Sequence, residues 1–328
     1  MELPLLRAYL EKNKDTPISV ESLSDHFDTG VSNIKAALEE LRSDGLNLLL
    51  LDDHIALSKQ IAKEDPLVID ISGMSDGNVY RFGVCGDTHL GSKYERLDAL
   101  KAFYLLLEKE GISTVYHTGN HIEGEAPFNQ YDIHTRGCDA QIDYFVKKYP
   151  KIDGLTTYFI TGDDHEGWYT QKLGINTGKY TDMKAKNAGR NDLIWLGHME
   201  HDIHVKAKKG KTIIRLVHPG GGTAYAISYT MQKLIESYAG GEKPHVVLAG
   251  HYHKAEYIFL RNVHTIQTAC FQDQTPFMRK KRIPAHVGGW IVEFTQANDG
   301  SILRFKSEFV PFFDNGIYQK GKQWKYNW

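Results

Sequence analysis

Residues 80–89 read Tyr80-Arg81-Phe82-Gly83-Val84-Cys85-Gly86-Asp87-Thr88-His89. A β-prone, largely apolar run ends at Cys85, a glycine breaks it, and a carboxylate and an imidazole follow two residues apart. The same pattern recurs along the chain. Gly119-Asn120-His121 follows the run Thr114–His117, and Asp163-Asp164-His165-Glu166 follows Thr156–Ile160. His218-Pro219-Gly220 follows Thr212–Val217, and Gly250-His251-Tyr252-His253 follows His245–Leu248. In a layered α/β fold the loops after the carboxyl ends of strands gather at one edge of the sheet, where ligands bind. Side chains spread over about 170 positions can therefore meet. In an extended segment Asp87 and His89 project to the same side around Thr88, and His251 and His253 repeat that spacing. One His-x-His pair is more often structural than ligating; five clusters in order, each after a strand, point to a two-metal site. Mixed imidazole and carboxylate donors suit Mn²⁺, Fe²⁺ or Zn²⁺ more than Ca²⁺ or Mg²⁺ alone. The 16 histidines among 328 residues agree with metal chemistry.

Outward from these clusters, strand and helix alternate from residue 79 onward. Helices are predicted over Tyr94–Lys109, Asp132–Lys148 and Ala224–Tyr238, with strands near Ile203–Ala207 between them. The end of the chain is β-rich, with Ala255–Leu260, Val263–Thr268, Trp290–Thr295 and Leu303–Phe309. This order predicts an α/β fold of two sheets packed face to face with helices outside.

Residues 1–60 read as a separate small domain, joined by a linker over 61–78 that contains Pro66, Gly73 and Gly77. A helix over Pro4–Lys14 is followed by an N-cap at Ser19 opening a second helix to Phe27. A third helix carries Ile34, Ala37, Leu38 and Leu41 as one apolar stripe and ends at Gly45. A hairpin over Leu46–Leu51 and His54–Leu57 completes a pattern resembling a winged helix-turn-helix. Six Lys/Arg against eleven Asp/Glu give this unit a net charge of −5, which opposes duplex binding by phosphate neutralisation. Self-association or a protein partner is the expectation for it, ahead of direct DNA contact.

Composition sets outer bounds. A net charge of −2 provides no global field for nucleic acid, so such a partner must be held by a local patch. No run of 18 apolar residues marks a membrane span, and Met1-Glu2-Leu3-Pro4 does not open a secretory signal. Cys85, Cys138 and Cys270 are odd in number, far apart and in no CxxC spacing, which is expected of reduced thiols in a cytoplasmic protein.

The order of motifs now carries a resemblance. Asp87-x-His89, Gly119-Asn120-x-x-Glu123-Gly124, Asp164-His165-Glu166, His218 after a strand and Gly250-His251-x-His253 are similar to the calcineurin-like metallophosphoesterase superfamily. The resemblance covers roughly residues 79–310 and extends, more weakly, to SbcD-type DNA repair nucleases and their phage-encoded relatives. It implies a two-sheet sandwich holding two metal ions about 3.5–4 Å apart that hydrolyse phosphoesters.

Carried onto this chain, the resemblance assigns Asp87, His89 and His253 to one metal and Asp164, His218 and His251 to the other, with Asn120 at the bridging position. Asp163 is the alternative ligand in the acidic pair; Asp164 is preferred because it directly precedes His165. His165 becomes the general acid, oriented by Glu166, while His121 and Tyr252 line the phosphate pocket. Two positions depart from the family: aspartate usually stands at Asn120 and asparagine at Asp164. A neutral amide cannot bridge two dications as a carboxylate does. Either the charge has moved naturally to Asp164, or Asn120 is an inactivating residue, introduced or natural.

The leading expectation is a dinuclear-metal phosphodiesterase, a DNA nuclease held inactive by Asn120 if that residue disables it, using two divalent ions of which Mn²⁺ ranks first. The alternatives are a phosphoesterase for a small nucleotide or phosphoprotein, and a non-catalytic nucleic-acid-binding or regulatory protein. Arg279-Lys280-Lys281-Arg282 is the concentrated basic run, assigned to nucleic-acid contact through Arg279 and Lys280. A phage-encoded version would act in the host cytoplasm.

Overall fold

The computed structural model describes residues 3–13, 17–43, 46, 48–51, 54–57, 65–71, 78–222, 224, 226–238 and 243–312. Its contacts divide the chain into two compact units, Met1–Asp65 and Pro66–Trp328.

The first unit runs α1 (Leu3–Lys12), β1 (Ile18–Ser19), α2 (Val20–His26), α3 (Val31–Ser43), β2 (Leu48–Leu51) and β3 (His54–Leu57). Ser19 Oγ accepts the Ser22 amide at 3.0 Å, a capping bond that starts α2 as the sequence predicts. Ile34, Ala37, Leu38 and Leu41 of α3 pack with Leu6, Leu10 and Leu23 in one small core, beneath a sheet of order β1-β3-β2. Lys14, Gly45, Asp52 and Asp53, which the sequence places at element ends and in the hairpin turn, lie outside the described residues.

The second unit continues with β4 (Leu67–Ile69), β5 (Val79–Cys85), α4 (Leu97–Lys109), β6 (Thr114–His117), α5 (Cys138–Lys148), β7 (Thr156–Thr161), α6 (Gly167–Leu173), α7 (Thr177–Asn187) and β8 (Leu193–His198). It then adds β9 (Glu200–Lys206), β10 (Lys211–Val217), α8 (Tyr229–Ser237), β11 (Val246–Ala249), β12 (Ala255–Leu260), β13 (Val263–Thr268), α9 (Pro276–Lys281), β14 (Gly288–Gln296) and β15 (Ile302–Pro311). Among the described residues these strands form two six-stranded sheets, of order β15-β14-β5-β6-β7-β8 and β12-β13-β11-β10-β9-β4.

The alternation of side chains along β5 shows how the layers form. Tyr80, Phe82 and Val84 face the second sheet, packing with Ile214, Leu216, Val246, Leu248 and Ile266. Cys85 faces the other way, into a core shared with Leu100, Phe103 and Leu107 of α4 and Phe145 of α5. Met231 and Ile235 of α8 cover the outer face of the second sheet through Val217, Val247 and Val263. The result is the α/β sandwich with outer helices that the pattern of elements predicts.

Several boundaries differ from the sequence expectation. β4 lies inside the stretch assigned to a linker and pairs in parallel with β9 through Leu67 and Ile203. The helix expected from Asp132 begins at Cys138, so residues 118–137 are one long loop after β6. The helix expected from Ala224 begins at Tyr229. β5, β6, β7 and β8 are parallel neighbours, as are β10 and β11. Their carboxyl ends bring the five clusters to one edge of the sandwich.

Candidate metal centre

The loops at this edge are stitched to each other before any ligand is considered. The Asp87 amide donates to Gly119 O (2.9 Å), His89 N to Asn120 O (3.0 Å) and Gly250 N to Val217 O (3.0 Å). Thr118 and Thr268 hydroxyls meet at 2.8 Å, tying one sheet to the other. Asp87, His89, Asn120, His251 and His253 all have positive φ, between 47° and 78°. The extended geometry expected for the Asp-x-His and His-x-His pairs is therefore corrected: each side chain is aimed by a left-handed kink. Such kinks are uncommon for residues other than glycine and cluster at functional sites. Glycines beside them leave no room for a side chain. At Gly119, with φ +102°, a Cβ would fall 2.5 Å from His218 Nδ1, and at Gly162 it would fall 2.7 Å from Asn120 Oδ1 and 2.8 Å from His218 Nε2.

Two donor sets result. In the first, His253 Nε2 lies 3.4 Å from Asp87 Oδ1 and 3.1 Å from His89 Nε2, all three residues being buried. In the second, Asp164 Oδ1 lies 3.3 Å from His218 Nε2 and Asp164 Oδ2 lies 3.0 Å from His251 Nδ1. Each set draws on both sheets. Asn120 stands between them: its Nδ2 donates to Asp87 Oδ1 at 3.3 Å, while its Oδ1 lies on the side of His218.

The imidazoles are set up as ligands by what their other nitrogens do. His218 Nδ1 donates to Thr118 O at 2.7 Å and His251 Nε2 to Gly221 O at 2.7 Å, directing the opposite nitrogen of each at Asp164. Glu123 Oε2 sits 3.0 Å from His89 Nδ1 and serves the first set in the same way. Glu123, His89 and His165 form a third close group, but Glu123 is also held by Asn129 Nδ2 and Gln272 Nε2, both at 2.9 Å. That makes Glu123 a support for the ligands; sequence reasoning gave it no role, although it stands in the Gly119–Gly124 motif.

The residues fit divalent metal. Among the described residues, Asn120 Oδ1 is buried without a hydrogen-bond partner beside His218 Nε2, and Asp164, His218 Nε2 and His251 Nδ1 close on one volume with only one another to face. A fold leaves a buried acceptor such as Asn120 Oδ1 unpaired where something else binds it. Electrostatics agree. Burial opposes charge on Asp87, yet His253 and His89 beside it hold its carboxyl well below the usual range; burial likewise opposes charge on Asp164, which His218 and His251 hold low. Burial also opposes charge on His89 and His218, but carboxylates beside them push these imidazoles up to about 10 and about 9. In the metal-free chain protons thus supply the positive charge that metal ions would supply.

The remaining site residues divide. His165 Nδ1 donates to Glu123 O at 2.8 Å, its ring packs on His89 with centroids 4.2 Å apart, and it lines the cavity over the centre. Glu166 does not orient it. Glu166 Oε1 instead accepts the amides of Asn120 and Gly162, each at 2.9 Å, and lies 3.3 Å from His121 Nδ1, so it binds two ligand loops together. His121 is fully buried behind the site, between Glu166 and Thr181, and does not line a phosphate pocket. Tyr252 is buried too, its hydroxyl donating to Gly220 O at 3.2 Å. Arg279 and Lys280 lie on α9, whose Phe277, Met278 and Lys281 line the cavity, so the basic run flanks it. Asp163 is half-buried, and Asp164 is the member of the acidic pair that meets both imidazoles.

No family model matches this chain, and no curated protein matches it. Among solved structures, an archaeal phosphodiesterase is similar at 15% identity, covering 70% of this chain and 100% of its own, with a TM-score of 0.35. A predicted phosphoesterase of Streptococcus pneumoniae TIGR4 is 13% identical over 71% of this chain and 98% of its own, with a TM-score of 0.33. Vps29 of Entamoeba histolytica, solved with zinc, is 14% identical over 71% of this chain and 100% of its own, with a TM-score of 0.32. Likenesses this distant carry no argument about activity, which has to come from the site.

Proposed function

We propose that this chain is a two-metal phosphodiesterase of the calcineurin-like type, acting on nucleic acid and cutting DNA in its active form. The observation that carries the reading is the pair of donor sets on either side of Asn120, whose buried Oδ1 has no hydrogen-bond partner. Asp87, His89 and His253 would hold one ion, and Asp164, His218, His251 and Asn120 Oδ1 the other. Two such ions, Mn²⁺ by the donor chemistry, would polarise the phosphoryl group and acidify a water. His165, kept in place by Glu123, presents Nε2 to the cavity and protonates the leaving oxygen. Glu166 keeps the Asn120 and Asp164 loops in register.

The cavity over the centre has a volume of about 530 Å³. That size suits one unpaired nucleotide better than a duplex, which favours either a single-stranded end or, as the second reading, a small nucleotide ester. The helices and sheet of residues 3–57 follow the order of a winged helix. Their net charge of −5 over residues 1–60 favours self-association or a protein partner over DNA contact. Among the described residues no helix is long and apolar enough to cross a membrane. Separately, from the three free cysteines we propose a cytoplasmic location.

The test is hydrolysis of single- and double-stranded DNA and of a small phosphodiester in Mn²⁺, by this chain and by Asn120→Asp. Cutting by the variant alone identifies Asn120 as a disabling residue in a nuclease core. Hydrolysis of the small ester without DNA cutting removes the nuclease claim. No hydrolysis by either protein refutes the enzyme and leaves a binding or regulatory role.

A further inference from the structure

We propose that the cavity beside the metal centre contains a stacking subsite for one nucleobase, formed by Phe128 and Phe277 on the leaving-group side of the phosphate. The proposal rests on the phosphodiesterase reading and specifies its substrate. Phe128 comes from the long loop after β6 and Phe277 from the start of α9; their ring centroids are 4.9 Å apart with 32° between the planes. Both line the cavity that Asp164, His251 and His253 also line. Phe128 remains 40% exposed, so much of a large apolar ring is left open beside a polar centre. Such a surface is covered when a planar group stacks on it.

Position decides which part of the substrate this is. Phe128 meets His165 edge-on, with centroids 5.3 Å apart and 82° between planes. The leaving oxygen receives its proton from His165, so the atoms beyond that oxygen pass next to Phe128. Charge narrows the occupant further. Apart from the metal ligands and Glu123, which His89 faces, the carboxylate and cationic side chains lining the cavity among the described residues are Asp132 and Lys281, one of each sign and a poor lining for several further phosphates. One phosphate on the metals with an uncharged planar appendage fits it.

The polar side chains of the lining indicate how the base is read. Asn129 donates to Glu123 Oε1 and accepts the Ala126 amide, and Gln272 donates to Ser92 and Glu123. These groups are committed to the fold and to the His89 support, so they do not read base edges. With these two engaged, stacking carries the main contact with the base, and stacking tolerates any base.

The experiment is calorimetric titration of the full chain in Mn²⁺ with thymidine 5′-monophosphate and with deoxyribose 5-phosphate, which carries the same phosphate and no base. We expect the nucleotide to bind about tenfold more tightly, and purine and pyrimidine nucleotides to bind alike within about threefold. In Phe128→Ala, and in Phe128→Leu where apolar volume is kept, the ratio of the two affinities falls to about one; Phe128→Trp restores it. Equal binding of the two ligands by the unsubstituted chain overturns the proposal, as does a ratio that survives both Phe128→Ala and Phe277→Ala. A Phe128-dependent ratio without hydrolysis of any phosphodiester, even by Asn120→Asp, sinks the enzymatic reading and keeps the subsite. Hydrolysis with no base preference does the reverse.

Discussion

Replacing Asn120 by aspartate tests the centre in its metal-free and metal-loaded states at once. Without metal, the change exchanges the Nδ2 donor, 3.3 Å from Asp87 Oδ1, for an anionic oxygen. Two carboxylate oxygens at that separation repel by about 5 kcal/mol at an effective dielectric of about 20. Charged His89 and His218 nearby absorb part of this, so a net loss of about 2–3 kcal/mol is expected. For a unit of this size that lowers the melting temperature by about 5 °C. With metal the sign reverses, because the new carboxylate faces two dications. The Mn²⁺ dissociation constant should then fall by at least about tenfold, which is about 1.4 kcal/mol. Thermal melts in chelator and in Mn²⁺, with calorimetric titration of the metal, read both halves. Melting unchanged in chelator together with unchanged metal affinity would refute the placement of Asn120 between two metal sites.

Three further predictions concern neighbouring groups. His165→Ala should retain both metals by elemental analysis while hydrolysis by an active form falls about 10²–10⁴-fold, and loss of metal would show that His165 is a ligand. Glu123→Gln weakens the hold on His89 Nδ1, so metal affinity should drop about 10–100-fold without loss of fold by circular dichroism; unchanged affinity would remove its supporting role. The pH dependence follows from His89 and His218, pushed up to about 10 and about 9 once their carboxylate neighbours outweigh burial. Raised imidazoles stabilise the metal-free chain at low pH, and that contribution is lost as pH climbs through 9 to 10. Metal displaces these protons, so Mn²⁺ affinity should rise from pH 7 toward 9 with up to two protons released, measured by titration in buffers of different ionisation enthalpy. Affinity that is flat with pH would contradict it.

Much of the fold was legible because ligand motifs and strand ends coincide: Cys85, His117, Val217 and Ala249 each close a strand just before a cluster. What escaped has local causes. α7 presents Thr177, Thr181 and Ala185 to the interior, small and partly polar residues that make no apolar stripe. β4 has three residues and takes its stability from pairing with β9. Within the centre, adjacency in sequence misassigned the partner of His165: Glu166 follows it in the chain but faces Asn120 and Gly162, while Glu123 reaches it from another loop. Positive φ at five ligand positions left no mark beyond the neighbouring glycines, since aspartate, asparagine and histidine tolerate that region better than most residues.

Each donor set takes side chains from both sheets, and this bears on how the protein comes apart. Asp87 and His89 extend from β5 while His253 follows β11; Asp164 follows β7 while His218 and His251 follow β10 and β11. An ion in either set is a cross-link over the seam of the sandwich, and the sheets cannot separate while it stays. At a metal concentration of about 100 times the dissociation constant each ion adds about 2.7 kcal/mol. If the sheets part only after the rate-limiting barrier has released the ions, that stabilisation appears mainly as slower unfolding. Depletion of metal would then shorten the lifetime of the folded chain as well as silence its chemistry.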